Sequence, residues 1–202
     1  MIKNIVFDIG NVLVEFGWKP YFDKFNLTPE EFERLVNATV KSNVWNEMDR
    51  GAVSEEEILN AYIANDPGIE GIIRAIYADF HDMLKQYDYT KGWIKSLQAE
   101  GFKVYCLSNM SHKSVRENAD ALDFIPLTDG TILSCDYNII KPEKAIYDLL
   151  FDKFNLIPSE CVFIDDVKRN IDKAKELGMY GIVFESRAQV EEEIKRLKNT
   201  VK

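Results

Sequence analysis

The sequence is poor in the residues that staple or metallate small proteins. It has three cysteines, Cys106, Cys135 and Cys161, and two histidines, His81 and His112. An odd cysteine count with no metal-like spacing excludes a disulfide framework and a thiolate zinc site. Each cysteine sits in an apolar stretch such as Val104-Tyr105-Cys106-Leu107. Buried free thiols in a reducing, cytoplasmic setting are therefore expected. No Ser-His-Asp pattern is present, which argues against serine-hydrolase chemistry. No apolar run is long enough to span a membrane, and Asp8 interrupts the leading apolar stretch, so neither a membrane partner nor a signal peptide is expected. Positive charge is also short. The net charge of −9 argues against a nucleic-acid partner, because phosphate backbones attract basic surfaces. Repeats and low-complexity tracts are absent, which excludes solenoids. What remains is a chain of 202 residues, 46% hydrophobic and 29% charged, with enough material for a real core and for a folded insertion within it.

Short apolar runs alternate with amphipathic helical text. Residues 2–7, 102–107, 131–135, 161–164 and 180–184 read as strands apolar on both faces, as in a parallel sheet. Residues 91–100 form a helix ending at Gly101. Pro142 opens another in its first turn, with Ile146, Leu149, Leu150 and Phe154 in one stripe. Ile171, Ala174 and Leu177 line a third helix that stops at Gly178. Ser186 and Gln189 make a capping box for the last. The fold class is α/β, a doubly wound, Rossmann-like parallel sheet. Residues 17–86 break the pattern. They carry no convincing strand, but two helix starts, Thr28-Pro29-Glu30-Glu31 and Ser54-Glu55-Glu56-Glu57, and a break at Pro67-Gly68. The expected division is an α/β core of residues 1–16 and 87–202 and an all-helical cap of residues 17–86.

The polar residues fall where such a sheet binds ligands. Asp8, Ser108-Asn109 and Asp165-Asp166 each follow a strand, at the carboxyl edge. Any one of them is adequately explained as a helix cap. Three strand ends together, with Lys141 just before a helix, point instead to a common site. Several carboxylates at one edge suit a hard cation such as Mg²⁺. One carboxylate is then free to act as a nucleophile. A lysine with small hydroxyl and amide groups would hold phosphoryl oxygens, and Gly10-Asn11 lets backbone N–H groups approach an anion.

These residues resemble the four motifs of the haloacid dehalogenase superfamily of phosphohydrolases. Asp8-Ile9-Gly10-Asn11-Val12 looks like the first, Leu107-Ser108-Asn109 the second, Lys141-Pro142-Glu143 the third, and Phe163-Ile164-Asp165-Asp166 followed by Asn170 the fourth. Each is weak alone, but four in order cover essentially the whole chain. The resemblance implies that Asp8 is the nucleophile and that Ser108 and Asn109 contact the phosphoryl group. Lys141 would balance charge on both. Asp166 would bind Mg²⁺ directly and Asp165 directly or through another group, with the Gly10 carbonyl also on the metal and Asn170 orienting that end of the site. The reaction implied is Mg²⁺-dependent hydrolysis of a small phosphorylated metabolite through an aspartyl-phosphate.

One departure is plain. Most phosphatases of the family carry a second Asp two residues after the nucleophile as general acid and base, and here that residue is Gly10. Such help is typically worth about 10²- to 10⁴-fold in rate. A cap residue such as Glu47 or Asp49 could supply the proton, a good leaving group could dispense with it, or the protein could be a weak or non-catalytic phosphate binder. A subgroup with the Asp-x-Gly-Asn form includes a bacterial phosphatase acting on α-D-glucose 1-phosphate, which the chain resembles in the first motif and in Trp45-Asn46-Glu47-Met48-Asp49-Arg50-Gly51. That favours a sugar phosphate. A 2-haloacid dehalogenase also lacks the second Asp, but it needs no metal and would not be expected to keep Asp165-Asp166. In the cap, Trp18, Tyr21, Trp45, Glu47 and Arg50 are the candidates for substrate contact, with Trp45 and Arg50 foremost; cap-helix core explains the three aromatics better, and Arg50 suits substrate contact and solvent equally. His112 is expected at the surface, and the assembly to be a monomer or weak dimer.

Overall fold

The computed structural model describes residues 1–200. Five parallel strands form the main sheet: β1 (Asn4–Phe7), β4 (Lys103–Ser108), β5 (Gly130–Leu133), β6 (Cys161–Asp165) and β7 (Tyr180–Val183), in the order β5-β4-β1-β6-β7. Alternation along the strands explains their all-apolar text. Ile5 and Phe7 of β1, Val104 and Cys106 of β4, and Val162 and Ile164 of β6 point into one cluster. It is closed by Trp93, Ile94 and Leu97 of α6 (Thr90–Ala99) and by Val190 and Ile194 of α10 (Arg187–Thr200). Val6, Tyr105, Leu107 and Phe163 point the other way, onto Ile146, Tyr147 and Leu150 of α8 (Lys144–Phe154) and Ile171 and Ala174 of α9 (Lys168–Glu176). Both faces are dry, so both need apolar residues.

The order also sets the site. The chain runs outward from β1 through β4 to β5, then returns to place β6 on the other flank of β1. The strand order therefore reverses beside β1, and crevices for ligands open at the carboxyl ends of strands at such a point. Asp8 and the Asp165-Asp166 pair lie there. Phe7 is in register with Ile164 on one side and Cys106 on the other, which brings Asp8, Asp165 and Ser108 to neighbouring strand ends.

Between β1 and α6 come five helices: α1 (Trp18–Asp23), α2 (Pro29–Ala38), α3 (Asn43–Arg50), α4 (Glu55–Asn65) and α5 (Glu70–Tyr77). Both capping boxes read from the sequence form, Thr28 with Glu31 and Ser54 with Glu57. These helices share a separate apolar cluster that includes Tyr21, Phe22, Leu35, Ile73 and Phe80. Trp18 packs against Phe22 and Phe32, and the Tyr21 hydroxyl donates to the Ile76 carbonyl. The stretch is not purely helical, however. β2 (Val14–Phe16) pairs antiparallel with β3 (Leu84–Gln86), so a short ribbon stands where the helical segment leaves and rejoins the sheet. Three residues per strand are too few to show a period in the sequence.

Other boundaries differ in detail. Pro142 precedes α8 rather than opening it: Glu143 is the N-cap, and the Lys141–Pro142 peptide is cis. The strand expected over 131–135 ends at Leu133, and residues Ser134–Asp136 form a 3₁₀ turn. The last capping box is half formed. Gln189 N–H donates to Ser186 Oγ, but the Gln189 side chain accepts from Glu185 N–H instead of returning to Ser186. α7 (His112–Glu117) starts with an exposed His112, as expected of a surface residue. All three cysteines are free and buried. Among the described residues, no helix is long and apolar enough to cross a membrane.

Candidate active site

A lysine buried between two carboxylates is the centre of the site. Lys141, 1% exposed, places Nζ 2.8 Å from Asp8 Oδ1 and 2.7 Å from Asp165 Oδ2. Its backbone is clasped from β4: Lys141 N–H donates to Asn109 Oδ1 (2.7 Å), and Asn109 Nδ2 donates to the Lys141 carbonyl (3.1 Å). Burial works to lower the Lys141 pKa, but Asp8 and Asp165 outweigh it and hold the ammonium above its usual value.

The three acids differ in how they are held. Asp165 is fully buried and receives Lys141 and Asn170 on Oδ2 and the Val167 N–H and Asn170 on Oδ1. Those four bonds fill the acceptor capacity of a carboxylate. Asp166 is partly exposed and receives a single bond, from Asn11 Nδ2 (2.9 Å). Asn11 has φ +55°, a left-handed turn that lets its Oδ1 also accept from Phe16 N–H. Asp8 accepts from Lys141 and from Ile9 N–H, both on Oδ1, so Oδ2 has no partner among the described residues. Burial pushes the Asp8 carboxyl up to about 7; Lys141 opposes this, and the nearby Asp165 and Asp166 add to it. Burial also raises Asp166, against the Asn11 hydrogen bond.

The donor set fits a hard divalent cation. Carboxylate oxygens of Asp8, Asp165 and Asp166 all lie within 4.8 Å of one another. Three acids face one lysine, so the cluster is short of positive charge, and its ligands are the oxygen donors that Mg²⁺ prefers. Among the three, Asp166 and Asp8 have acceptor capacity to spare, whereas Asp165 is committed to Lys141, Val167 and Asn170.

A cavity of about 170 Å³ opens above the cluster, lined by Asp8, Gly10, Asn11, Ser108, Asn109 and Asp166 on the sheet side. The Ser108 hydroxyl has no hydrogen-bond partner among the described residues and is thus available to a ligand. Phe16, Trp45, Leu84 and Met110 give an apolar wall. Trp45 is fixed by Phe16 (centroids 5.6 Å apart) and by Phe80, on which it stacks. Of the residues singled out in the sequence, Asp8, Gly10, Asn11, Trp45, Ser108, Asn109 and Asp166 line this cavity. Lys141, Asp165 and Asn170 are buried and do not line it; Lys141 reaches it only through its pairing with Asp8.

Arg50 is not brought there. Its guanidinium makes two bonds to the Glu143 carboxylate (2.7 and 3.2 Å) and one to Glu47 (3.3 Å). It joins the end of α3 to the loop that carries Lys141. Glu47 is on that exposed side as well, whereas Asp49, two residues on, lines the cavity and is 9% exposed. Sequence reasoning missed Phe16, Leu84 and Met110. Met110 follows Ser108 closely enough to have been found; Phe16 and Leu84 depend on the unread ribbon.

Comparison with known proteins identifies the family. Residues 2–178 match the haloacid dehalogenase-like hydrolase family model. A D-ribitol-5-phosphate phosphatase of Bacteroides thetaiotaomicron is 29% identical over 99% of this chain and 100% of its own length. A phosphorylated carbohydrates phosphatase of Thermotoga maritima is 19% identical over 90% of this chain and 86% of its own. Among solved structures, a haloacid dehalogenase family enzyme of Bacteroides thetaiotaomicron in complex with magnesium and inorganic phosphate superimposes with a TM-score of 0.71 at 20% identity, over 94% of this chain and 99% of that one. The L-2-haloacid dehalogenase of Xanthobacter autotrophicus shares the fold with a TM-score of 0.63 at 16% identity, over 97% and 83%. With its four motifs gathered at one sheet edge and the family model matched over most of its length, the chain belongs to the haloacid dehalogenase-like hydrolases and is an enzyme of that family.

Proposed function

We propose that the protein is a Mg²⁺-dependent phosphatase that hydrolyses a small phosphomonoester, a sugar phosphate, through an aspartyl-phosphate on Asp8. The observation that carries the reading is Lys141, buried between Asp8 and Asp165, with Asp166 beside those acids in the cavity lining. The carbohydrate-phosphate substrates named for two relatives, and the Asp-x-Gly-Asn first motif, support the sugar.

In this reading Asp8 attacks phosphorus, and its Oδ1, held by Lys141 and Ile9 N–H, fixes the carboxylate for that approach. Ser108 Oγ and the Asn109 amide bond the phosphoryl oxygens, and the backbone at Gly10-Asn11 approaches them from the opposite side. Lys141 carries positive charge to Asp8 and to the phosphoryl group, and the saturated Asp165 keeps that lysine in place with help from Asn170. Asp8, Asp166 and the Gly10 carbonyl would hold Mg²⁺, which supplies positive charge for the phosphoryl oxygens. Phe16, Trp45 and Leu84 exclude water and receive the carbon skeleton. The reading includes a core of residues 1–16 and 87–202 and a cap of residues 17–86 that closes over the substrate. The carboxylate cluster weighs against the dehalogenase alternative, which has no use for Asp166 as a metal ligand.

The test is phosphate release from 4-nitrophenyl phosphate with and without MgCl₂, beside Asp8→Asn, followed by a screen of phosphorylated sugars and sugar alcohols. Release that needs both Mg²⁺ and Asp8 supports the reading. Release from neither class of ester by the native chain rejects it.

A further inference from the structure

We propose that the Asp49 carboxyl is the proton donor and acceptor of this reaction, delivered to the site by the last turn of α3. The inference rests on the phosphatase reading above.

The cavity lining holds three titratable groups, Asp8, Asp49 and Asp166. Asp8 is the nucleophile, and Asp166 is tied to Asn11 at the metal end. Asp49 is the remaining acid. Gly10 offers none, although space is not the reason: a Cβ built there meets nothing within 4 Å. Glu47, the other acid of that turn, faces solvent and pairs with Arg50.

Three successive residues fasten this turn to the sheet side. The Asp49 carbonyl accepts from Ser134 Oγ, and Ser134 Oγ in turn accepts from Met110 N–H (2.9 Å). Arg50 grips Glu143, and Asn138 Nδ2 donates to the Arg50 carbonyl (3.2 Å). Gly51 has φ +71° and passes so close to Cys135 that an added Cβ would come within 2.8 Å of it. Such fastening is what an acid must have if it is to meet a reacting oxygen reproducibly. The Trp45 indole and the Ser111 N–H lie on the carboxyl's side and act to lower its pKa, against burial. The charged and titratable groups that face it are Asp8, Lys141, Tyr62 and Cys135. Burial, then Asp8, pushes the Asp49 carboxyl up to about 7, which keeps a proton on it near neutral pH.

The steps balance. Asp8 oxygen bonds phosphorus as the bond from phosphorus to the leaving oxygen breaks, and the Asp49 proton passes to that oxygen to give the alcohol. Asp49, now a carboxylate, takes a proton from water as the water oxygen bonds phosphorus. The bond from phosphorus to Asp8 breaks, releasing hydrogen phosphate and restoring the Asp8 carboxylate and the Asp49 acid.

The experiment compares 4-nitrophenyl phosphate with phenyl phosphate, two substrates of similar shape whose leaving groups differ in basicity, on the native chain, Asp8→Asn and Asp49→Asn with Mg²⁺. Asp49→Asn should lose on the order of 10²-fold or more in kcat/KM with phenyl phosphate and at least about tenfold less than that with 4-nitrophenyl phosphate. It should also show a burst of about one nitrophenol per enzyme before slow turnover, as the aspartyl-phosphate accumulates. Equal losses on both esters, or none, would overturn the role of Asp49 and leave the phosphatase reading standing. Absence of Asp8-dependent release from the native chain would reject that reading and the inference with it. Asp49→Ser repeats the comparison if the Asn variant folds poorly, which circular dichroism would show.

Discussion

Lys141 Nζ and Asp8 Oδ1 are 2.8 Å apart in a site where the lysine is almost wholly removed from water. A buried ammonium is tolerable only while its carboxylates stay with it, and the converse holds for them. Lys141→Met should therefore leave Asp8 and Asp165 as unpaired buried acids. The expected cost is about 3 to 5 kcal/mol in urea unfolding, together with loss of Asp8-dependent phosphate release. Adding MgCl₂ should recover part of the lost stability, because a cation at the same cluster replaces some of the missing charge. A variant as stable as the native chain would show that the lysine's pairing is weak.

Asp165 and Asp166 are adjacent but should respond differently. Asp165 carries four hydrogen bonds and no exposure, whereas Asp166 carries one and is partly exposed. Asp165→Ala should cost several kcal/mol, about 3 or more, with or without metal. Asp166→Ala should change unfolding in chelator by less than about 1 kcal/mol, yet abolish the rise in melting temperature on adding Mg²⁺. Calorimetric titration with MgCl₂ reads the second effect directly. If both variants lose metal binding and stability to the same degree, the division of labour between the two acids is wrong.

The cluster was legible in the sequence because each of its members follows or precedes an element with a clear signature. Asp8, Ser108 and Asp165 end runs of apolar residues, and Lys141 precedes a helix with an evident stripe. The parallel sheet was legible for the same reason: both faces of β1, β4 and β6 are dry, and continuous apolar text follows. The ribbon of β2 and β3 was not, since it is held by pairing across about 70 residues of chain rather than by local pattern. The position of Arg50 was not either. A guanidinium at a helix end suits an anionic substrate and an anionic neighbour equally well, and only the fold brings Glu143 to it. Asp49 and Glu47 read alike as sequence; the helical rotation between them decides that one faces the cavity and the other solvent.

That rotation gives Arg50 a structural prediction. If it fastens α3 to the Lys141 loop, then Arg50→Ala, Glu143→Ala and the double variant should lower phosphate release by similar, modest factors, and the double should not be the product of the singles. The pair is partly solvent-exposed, so its coupling in unfolding should be about 0.5 to 1 kcal/mol. The effect should fall on kcat and be larger for phenyl phosphate than for 4-nitrophenyl phosphate, because an unfastened turn misplaces Asp49 and the more basic leaving group depends on its proton more. Had Arg50 instead met the substrate, Glu143→Ala would leave activity intact and Arg50→Ala would raise KM.

Asp49 also makes a prediction about stability. Its carboxyl is held up to about 7 in the folded chain, against 3.8 as the ordinary value, through burial first and the neighbouring Asp8 second. Between those two values the folded chain binds more protons at this residue than the unfolded chain does. Stability contributed by this group is thus full below about pH 4, falls as pH rises toward 7, and stays low above it. An amide of the same shape does not ionise. Asp49→Asn should accordingly gain on the native chain as pH rises, by about 2 to 3 kcal/mol between pH 5 and pH 8. The measurement is urea unfolding at the two pH values in chelator, since a cation near Asp8 would cancel part of the cause. A difference between native and variant that is flat with pH would mean that the Asp49 carboxyl ionises in the folded chain as freely as in water, and that its burial costs nothing.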